Sequence, residues 1–156
     1  MARTEYYNDP DAPTPNSIVV AATAFVRNER DQVLLIQRSE NGFWSIPGGG
    51  QDFGEFVADT AVRETREETG IDIRVIGLVG LYTDPRRVMA YTDGEVRQQF
   101  SICFRAEPVG GQLHTSPESP SVQWVAQSEL DRLEIHPSIR LRIDHGFADL
   151  DQPYIG

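Results

Sequence analysis

The chain contains no lysine, so its 14 basic residues are all arginines, and 24 acidic residues outnumber them. The formal net charge is −10 at pH 7. A protein that binds polymeric nucleic acid needs a basic surface to neutralise the phosphates, so we expect neither DNA nor RNA as a partner. A small anionic substrate is still compatible with this charge if metal ions neutralise it.

Long apolar runs and cysteines are also scarce. No stretch reaches the roughly 20 apolar residues that a membrane-spanning helix needs, and the N-terminus lacks the apolar core of a signal peptide. We therefore expect a cytoplasmic protein with no membrane partner. Cys103 is the only cysteine, which excludes an intramolecular disulfide, and its apolar neighbours predict a buried thiol rather than a nucleophile.

The length of 156 residues is that of one domain. The prolines in residues 1–16 predict a flexible or edge-packed N-terminal arm, followed by a domain over residues 17–148 and a C-terminal tail over 149–156. Hydrophobic patterns and turn residues predict strands over 18–27, 33–38, 71–81, 88–91, 96–106 and 121–125, and helices over 55–69 and 137–147. This order of elements predicts an α/β domain with a mixed β-sheet.

A glycine-rich loop leads into an acidic helix between Pro47 and Ile71. Glu64, Glu67 and Glu68 stand at i, i+3 and i+4, so their carboxylates share one helix face with Cβ atoms roughly 6 Å apart. By itself such a pattern is also typical of a solvated, charged face. The three consecutive glycines after Pro47 allow the backbone to approach a ligand closely, and Mg²⁺ prefers carboxylate and carbonyl oxygens. Together the loop and the helix favour a metal site.

These residues resemble the Nudix box, G-x5-E-x7-R-E-U-x-E-E-x-G-U with U a bulky aliphatic residue. The box is the signature of hydrolases that cleave a nucleoside diphosphate linked to another moiety. The chain matches it at Gly49, Glu55, Arg63, Glu64, Glu67, Glu68, Gly70 and Ile71. It departs at Thr65, whose methyl group can pack in place of the aliphatic side chain. The resemblance implies the Nudix fold, an α/β/α sandwich with a mixed sheet, over roughly residues 18–147.

The resemblance also implies roles for the residues of the box. Glu64, Glu67 and Glu68 would bind Mg²⁺ (or Mn²⁺) together with the backbone carbonyl of Gly48. Arg63 would orient the carboxylates, with a salt bridge to Glu67 one turn later. Such metal ions neutralise charge, activate water and template an in-line attack on the phosphoanhydride.

The identity of the general base is open. Glu118 precedes the strand predicted over 121–125, in the region from which several Nudix enzymes supply a catalytic glutamate. The alternative is that Glu118 is a solvated acid in a Pro-Glu-Ser-Pro turn. Glu67 or Glu68 could instead assist a metal-bound water directly.

The substrate is suggested by the loop after the strand predicted over 71–81. Pro85 lies fifteen residues beyond Gly70, close to the characteristic proline of the ADP-ribose-cleaving branch of the family. Arg86 and Arg87 would then meet the terminal ribose phosphate, although an ordinary turn with solvated arginines is the alternative. We expect hydrolysis of ADP-ribose or a related nucleotide sugar to AMP and a sugar phosphate.

Other activities and assemblies are compatible with the same residues. The alternatives are a pyrophosphohydrolase of nucleoside triphosphates, including oxidised ones, and a hydrolase of NADH or other dinucleotides. A nucleotide-binding sensor without activity is disfavoured because the box acids are retained. Many relatives dimerise, so we keep a homodimer as an expectation that no residue here specifies.

Overall fold

The computed structural model describes residues 3–156. Its strands are β1 (Arg3–Tyr7), β2 (Ser17–Ile18), β3 (Ala21–Val26), β4 (Gln32–Gln37), β5 (Trp44–Ser45), β6 (Gly48–Gly50), β7 (Ile71–Tyr82), β8 (Arg87–Tyr91), β9 (Val96–Gln98), β10 (Ser101–Gly111), β11 (Ser121–Ala126) and β12 (Tyr154–Ile155). Its helices are α1 (Val57–Thr69), a 3₁₀ helix (Gln127–Arg132) and α2 (Pro137–Ala148). Within this part of the chain, no helix is long and apolar enough to cross a membrane.

The central sheet has the order β12-β7-β10-β3-β6. Strand β10 runs parallel to β3 and antiparallel to β7, while β3 runs antiparallel to β6. Smaller sheets have the orders β1-β8-β9-β2 and β11-β4-β5. The predicted mixed sheet is therefore confirmed.

Strand β3 separates two layers of core because successive residues of a strand point to opposite faces. Ala22, Ala24 and Val26 belong to a cluster that contains Ala61 of α1. Phe25 lies in the other cluster, which contains Ile143 and other residues of α2. The sheet therefore has one helix on each face, and the α/β/α layering is confirmed.

Helix α1 begins two residues later than predicted, at Val57, and ends at Thr69, with Gly70 as its C-cap. Gly70 has a φ of 79°, a left-handed conformation that glycine adopts without strain, and its N–H donates to the carbonyl of Arg66. Thr65 is fully buried, so the one departure from the Nudix box faces the core. The buried face also includes Glu68, whose carboxylate is thereby turned toward the glycine loop.

Two predicted strands are interrupted. The prediction over 18–27 covers β2 and β3, which belong to different sheets, and the prediction over 96–106 covers β9 and β10. The second break occurs at Gln99 and Phe100, where the chain passes from the small sheet to the central one. The Asp93-Gly94 turn between β8 and β9 is confirmed.

Both chain ends contribute strands. β1 pairs antiparallel with β8 at the edge of its sheet, so the edge-packed alternative describes residues 3–7 and the flexible one does not. The first two residues of the predicted arm lie outside the described residues. In the predicted C-terminal tail, β12 pairs with β7, because the exposed edge of β7 offers free backbone groups for hydrogen bonding.

Candidate active site

The carboxylate of Glu68 connects helix α1 to the glycine loop. Its Oε1 accepts a hydrogen bond from the backbone N–H of Gly48 at 2.9 Å. Burial, together with the charges of Glu64 and Glu118 and against the opposing effects of Arg38 and the Gly48 N–H, raises the pKa of Glu68 to about 7. Glu68 therefore lies where negative charge is poorly compensated.

Glu64 lies one turn earlier on the same helix face and touches the loop at Gly49. A β-carbon at Gly49 would lie 2.6 Å from the Cδ of Glu64, so only glycine allows this approach. Burial raises the pKa of Glu64, although hydrogen bonding and charge from Arg63 lower it, while Glu67 and Asp52 add to the rise. The loop and the helix thus bring two partly desolvated carboxylates together.

Arg63 holds the acidic face in place. Its Nε donates to Glu55 at 2.6 Å, its Nη1 to Glu64 at 2.9 Å and its Nη2 to the carbonyl of Gly50 at 3.2 Å. The predicted pair with Glu67 is present but longer, at 3.4 Å. The hydrogen bond from Arg63 is the main reason that the pKa of Glu55 falls to about 2. Glu55 is therefore the principal counter-charge of Arg63.

The carboxylate and carbonyl oxygens of these residues are ligands that a hard divalent ion such as Mg²⁺ prefers, although they do not surround a single point. Among residues 3–156, no group of three His, Cys, Asp or Glu side chains is close enough to hold a metal ion. The side chain of Glu67 is 59% exposed, whereas those of Glu64 and Arg63 are mostly buried. Burial and like charges raise the pKa of Glu64 and of Glu68 although Arg63 pairs with Glu64, so the site holds negative charge that a divalent cation would compensate.

A cleft of about 410 Å³ opens beside these carboxylates. Its acidic side is formed by Glu64, Glu68 and Glu118 with the loop Gly48–Gly50. Its other walls carry five arginines, Arg3, Arg38, Arg87, Arg97 and Arg142. The interior of the cleft is therefore rich in positive charge although the protein is acidic overall.

Glu118 is an exposed residue on the rim of this cleft. Its backbone carbonyl accepts a hydrogen bond from the N–H of Ser39 at 3.1 Å, which ties its loop to the end of β4. Its charge contributes to the raised pKa of Glu68. The structure thus brings Glu118 together with the box acids, which is compatible with a role as general base.

The three residues predicted to contact the sugar phosphate do not all line the cleft. Arg87 is buried and lines the cleft, whereas Pro85 and Arg86 are exposed and lie outside it. Arg86 pairs with Asp84 at 2.7 Å and lines a separate cavity of about 120 Å³. Of the three, only Arg87 is placed where it could meet a ligand bound at the box.

Arg142 and Gln99 were missed by sequence reasoning. Arg142 stands three residues after Ile139 on the buried face of α2, so an arginine at a core-facing position was the available signal. Gln99 lies in the break between β9 and β10, where no pattern marks it. Arg3, Arg38 and Arg97 come from three separate segments, and their convergence depends on strand pairing.

Volume alone does not identify the site. An open groove of about 770 Å³ lies between the β3–β4 turn and β10, where Arg74 and Trp124 line it. It contains none of the box residues. The smaller cleft is therefore the candidate active site on the basis of its chemistry.

A family model, the NUDIX domain, matches residues 18–145 of this chain. The chain belongs to the Nudix family. It is 33% identical over 138 residues to a MutT-like protein of Streptomyces ambofaciens. The aligned region covers 87% of this chain and 83% of that protein. These matches also identify it as a Nudix hydrolase.

Other Nudix relatives carry different substrate names. An ADP-ribose pyrophosphatase of Methanocaldococcus jannaschii is 34% identical over 109 residues, 67% of this chain and 61% of that protein. A putative 8-oxo-dGTP diphosphatase of Bacillus subtilis is 32% identical over 110 residues, 70% of this chain and 67% of that protein. A NUDIX hydrolase structure from Nitrosomonas europaea has a TM-score of 0.73 at 20% identity, covering 92% of this chain and 80% of that one. That last similarity supports the fold.

Proposed function

We propose that this Nudix hydrolase cleaves the phosphoanhydride bond of a nucleoside diphosphate derivative with the help of Mg²⁺ or Mn²⁺. The best candidate is ADP-ribose or a related nucleotide sugar, which would yield AMP and a sugar phosphate. The observation that supports this proposal is the arrangement of Glu64 and Glu68 in one cleft with five arginines. Carboxylates that can hold a cation and guanidinium groups that can hold phosphates both face the same space.

The metal would be held by Glu64, Glu67 and Glu68 and by the backbone carbonyl of Gly48. When bound, such an ion acts as a Lewis acid and lowers the pKa of water. Arg63 keeps Glu64 in place through its 2.9 Å hydrogen bond and through its anchor on Glu55. Gly48 fixes the position of the Glu68 carboxylate by donating its N–H.

The chain's own groups then serve the hydrolysis as follows. A carboxylate oxygen of Glu118 takes the proton of the attacking water, whose oxygen forms the new bond to phosphorus. The bridging oxygen of the anhydride leaves with the other phosphate. The cleft arginines hold phosphate oxygens of the substrate, which reduces the repulsion that protects a phosphoanhydride from nucleophiles.

The choice of ADP-ribose has two supports. One relative at 34% identity is named an ADP-ribose pyrophosphatase. Arg87, one of the residues predicted for the ribose phosphate, lines the cleft. Pro85 and Arg86 stay predictions for substrate binding, since their exposed loop would have to turn toward the ligand.

A second candidate is a pyrophosphohydrolase of nucleoside triphosphates, including oxidised ones. It is favoured by the relative that is named a putative 8-oxo-dGTP diphosphatase. Hydrolysis of NADH is a further alternative, and a sensor without activity is disfavoured because Glu64, Glu67 and Glu68 are all present. The cytoplasmic location and the homodimer stay predictions.

The proposal is tested by a hydrolysis panel in Mg²⁺ with ADP-ribose, NADH, dGTP, 8-oxo-dGTP and a dinucleoside polyphosphate. Substrates are ranked by kcat/KM, and products are identified by mass. We expect AMP and ribose 5-phosphate from ADP-ribose to be the best products. Preferred release of pyrophosphate from a triphosphate would assign the second candidate, and no turnover of any compound would contradict hydrolysis.

A further inference from the structure

The side-chain oxygen of Gln99 accepts three hydrogen bonds. The donors are Nη2 of Arg142 at 2.7 Å, Nη1 of Arg87 at 3.1 Å and Oγ of Ser138 at 3.1 Å. An amide nitrogen cannot accept a hydrogen bond, so these three donors determine which side-chain atom of Gln99 is the oxygen. Gln99 therefore holds two guanidinium groups against one neutral acceptor.

Two serines complete this set of acceptors. Oγ of Ser138 accepts from Nη1 of Arg87 at 3.0 Å and from Nη2 of Arg142 at 3.3 Å. Oγ of Ser101 accepts from Nη1 of Arg142 at 3.1 Å. Ser138 gives its single hydroxyl hydrogen to Gln99, so its lone pairs can accept from the arginines. Among residues 3–156, every side-chain acceptor of Arg142 is thus neutral.

Both arginines are buried and have little negative charge beside them. Arg142 is 2% exposed and Arg87 is 7% exposed. In the described part of the chain Arg142 forms no salt bridge, whereas Arg87 pairs with Glu5 at 3.3 Å, and Glu5 also pairs with Arg3 at 2.9 Å. Burial, together with the charges of Arg87 and Arg38, lowers the pKa of Arg142 to about 10. The cationic form of Arg142 therefore lies in an unfavourable place.

A carboxylate in place of the Gln99 amide would stabilise these arginines better. Glutamate has nearly the same shape and can accept the same three bonds, and hydrogen bonds to an ionised acceptor are roughly twice as strong as neutral ones. A buried charge is costly until a counter-charge compensates it. The neutral amide does not compensate the charges of Arg87 and Arg142, and both side chains line the cleft. Their positive charge therefore acts in the cleft.

We propose that Gln99 is a positioning residue for the hydrolysis, whose amide orients Arg87 and Arg142 and, because it is neutral, leaves their charge for the anionic substrate. This inference rests on the proposed function, in which the cleft arginines hold phosphate oxygens. Gln99 acts through the two arginines and takes no part in the chemistry itself. An acidic residue at this position should make the protein more stable and, at the same time, weaken its binding of substrate.

Gln99→Glu tests the neutrality of this acceptor. We expect the melting temperature to rise by about 2–6 °C, since the carboxylate supplies the missing counter-charge. We expect KM for ADP-ribose in Mg²⁺ to rise by about tenfold or more, with kcat changed far less, because the carboxylate neutralises groups that bind the substrate. A structural role alone would produce the gain in stability without the rise in KM.

Gln99→Met tests the orientation of the two arginines. Methionine has a similar length but accepts no strong hydrogen bond, so both guanidinium groups lose their common acceptor. We expect the melting temperature to fall and KM to rise, whereas the glutamate variant keeps the fold and loses only affinity. Circular dichroism verifies folding. If Gln99→Met does not fold, Gln99→Glu and its control decide the question.

Gln98→Glu is the matched control for added negative charge. Gln98 is the adjacent residue and lines the same cleft, but it makes no hydrogen bond to either arginine. We expect no gain in stability and a clearly smaller change in KM than in Gln99→Glu. Equal changes in the two variants would overturn the proposal, since any negative charge in the cleft would then suffice. An unchanged KM or a lower melting temperature in Gln99→Glu would overturn it as well.

Binding of inorganic pyrophosphate separates this proposal from the hydrolysis. Pyrophosphate is titrated calorimetrically in Mg²⁺ into the native, Gln99→Glu and Gln98→Glu proteins, which requires neither turnover nor a nucleoside. Weaker binding by Gln99→Glu alone, with no compound of the panel hydrolysed, would keep the positioning role and remove the proposed function. Hydrolysis with equal KM and equal pyrophosphate affinity in native and Gln99→Glu proteins would keep the function and remove the positioning role. No binding of pyrophosphate to the native protein would also overturn the positioning role.

Discussion

The backbone N–H of Gly48 donates to the carboxylate of Glu68 at 2.9 Å, across twenty residues of sequence. This bond joins the glycine loop to the C-terminal end of the acidic face, so the position of one determines the position of the other. Because Glu68 is also the most buried of the three box acids on that face, it is the first residue to substitute.

Glu68→Gln should abolish most of the turnover and preserve the fold. The amide oxygen can still accept from Gly48, but a neutral group holds a divalent cation poorly, so we expect kcat to fall by about a thousandfold or more. Turnover and the melting temperature are measured on the same preparation. Glu129→Gln, at an exposed position paired with Arg132, is the control. A fully active Glu68→Gln protein would remove the metal assignment.

Gly49→Ala should displace Glu64. The new β-carbon would lie 2.6 Å from the Cδ of Glu64, so either the loop or the carboxylate must move. We expect activity to require a higher Mg²⁺ concentration, which a metal titration of the rate measures. Gly77→Ala is the control because its β-carbon meets Arg105 only at 3.8 Å. Unchanged metal dependence in Gly49→Ala would show that the contact is not needed.

Arg63→Ala should reduce turnover more than Arg66→Ala. Arg63 bonds to Glu55 and Glu64, and loss of such support of a metal ligand typically costs about 10–100-fold in metal affinity or activity. Arg66 lies on the same helix, is 73% exposed and pairs with Asp72 at 3.5 Å. The measurement is kcat/KM for both variants at saturating Mg²⁺ and at a limiting concentration. Equal effects would argue against the positioning role of Arg63.

Glu118→Gln tests the general base. The amide cannot take a proton from water, so kcat should fall by about a hundredfold or more while KM changes little. Substrate binding to the unreacted variant, measured by calorimetry, separates chemistry from affinity. If kcat is retained, the attacking water is activated at the box acids alone and Glu118 is a solvated residue of its turn.

His136 should make stability depend on pH in the acidic range. Its Nδ1 accepts the N–H of Ser138 at 3.1 Å, as the N-terminal cap of α2. Burial, with the charges of Arg87 and Arg142 and against that of Glu5, lowers its pKa from 6.5 to about 4. Between pH 6.5 and about 4, His136 is therefore protonated in the unfolded chain and neutral in the folded protein.

The stability contributed by neutral His136 is present above pH 6.5 and is lost as the pH falls toward 4. The full shift corresponds to about 3.4 kcal/mol at 1.36 kcal/mol for each unit of pKa, and solvent screening of the partly buried ring makes the loss smaller than that. Urea unfolding at several pH values measures it. His136→Asn keeps a capping side chain and should flatten this part of the profile, whereas His114→Asn, at an exposed position, should not. Identical profiles for native and His136→Asn proteins would contradict the assignment.

Much of the site could be predicted from local sequence. The spacing of Glu64, Glu67 and Glu68 determines their common face on any α-helix, and Gly70 ends that helix by its backbone conformation. Glu118 lies in a loop beside the cleft, and its role as general base stays a prediction. The flexible alternative for the N-terminal arm was wrong for residues 3–7, because β1 pairs with β8. No local sequence pattern predicts this pairing.

The sequence by itself determined the family, the acidic helix and the glycine loop, because these depend on short-range periodicity and backbone geometry. Only the tertiary structure decided which arginines face those acids. Arg87 on β8 and Arg142 on α2 meet at Gln99 because distant strands pair and the helix packs on the sheet. The spacing of residues along the chain does not indicate such long-range contacts. The folded sheet brings these side chains within hydrogen-bonding distance.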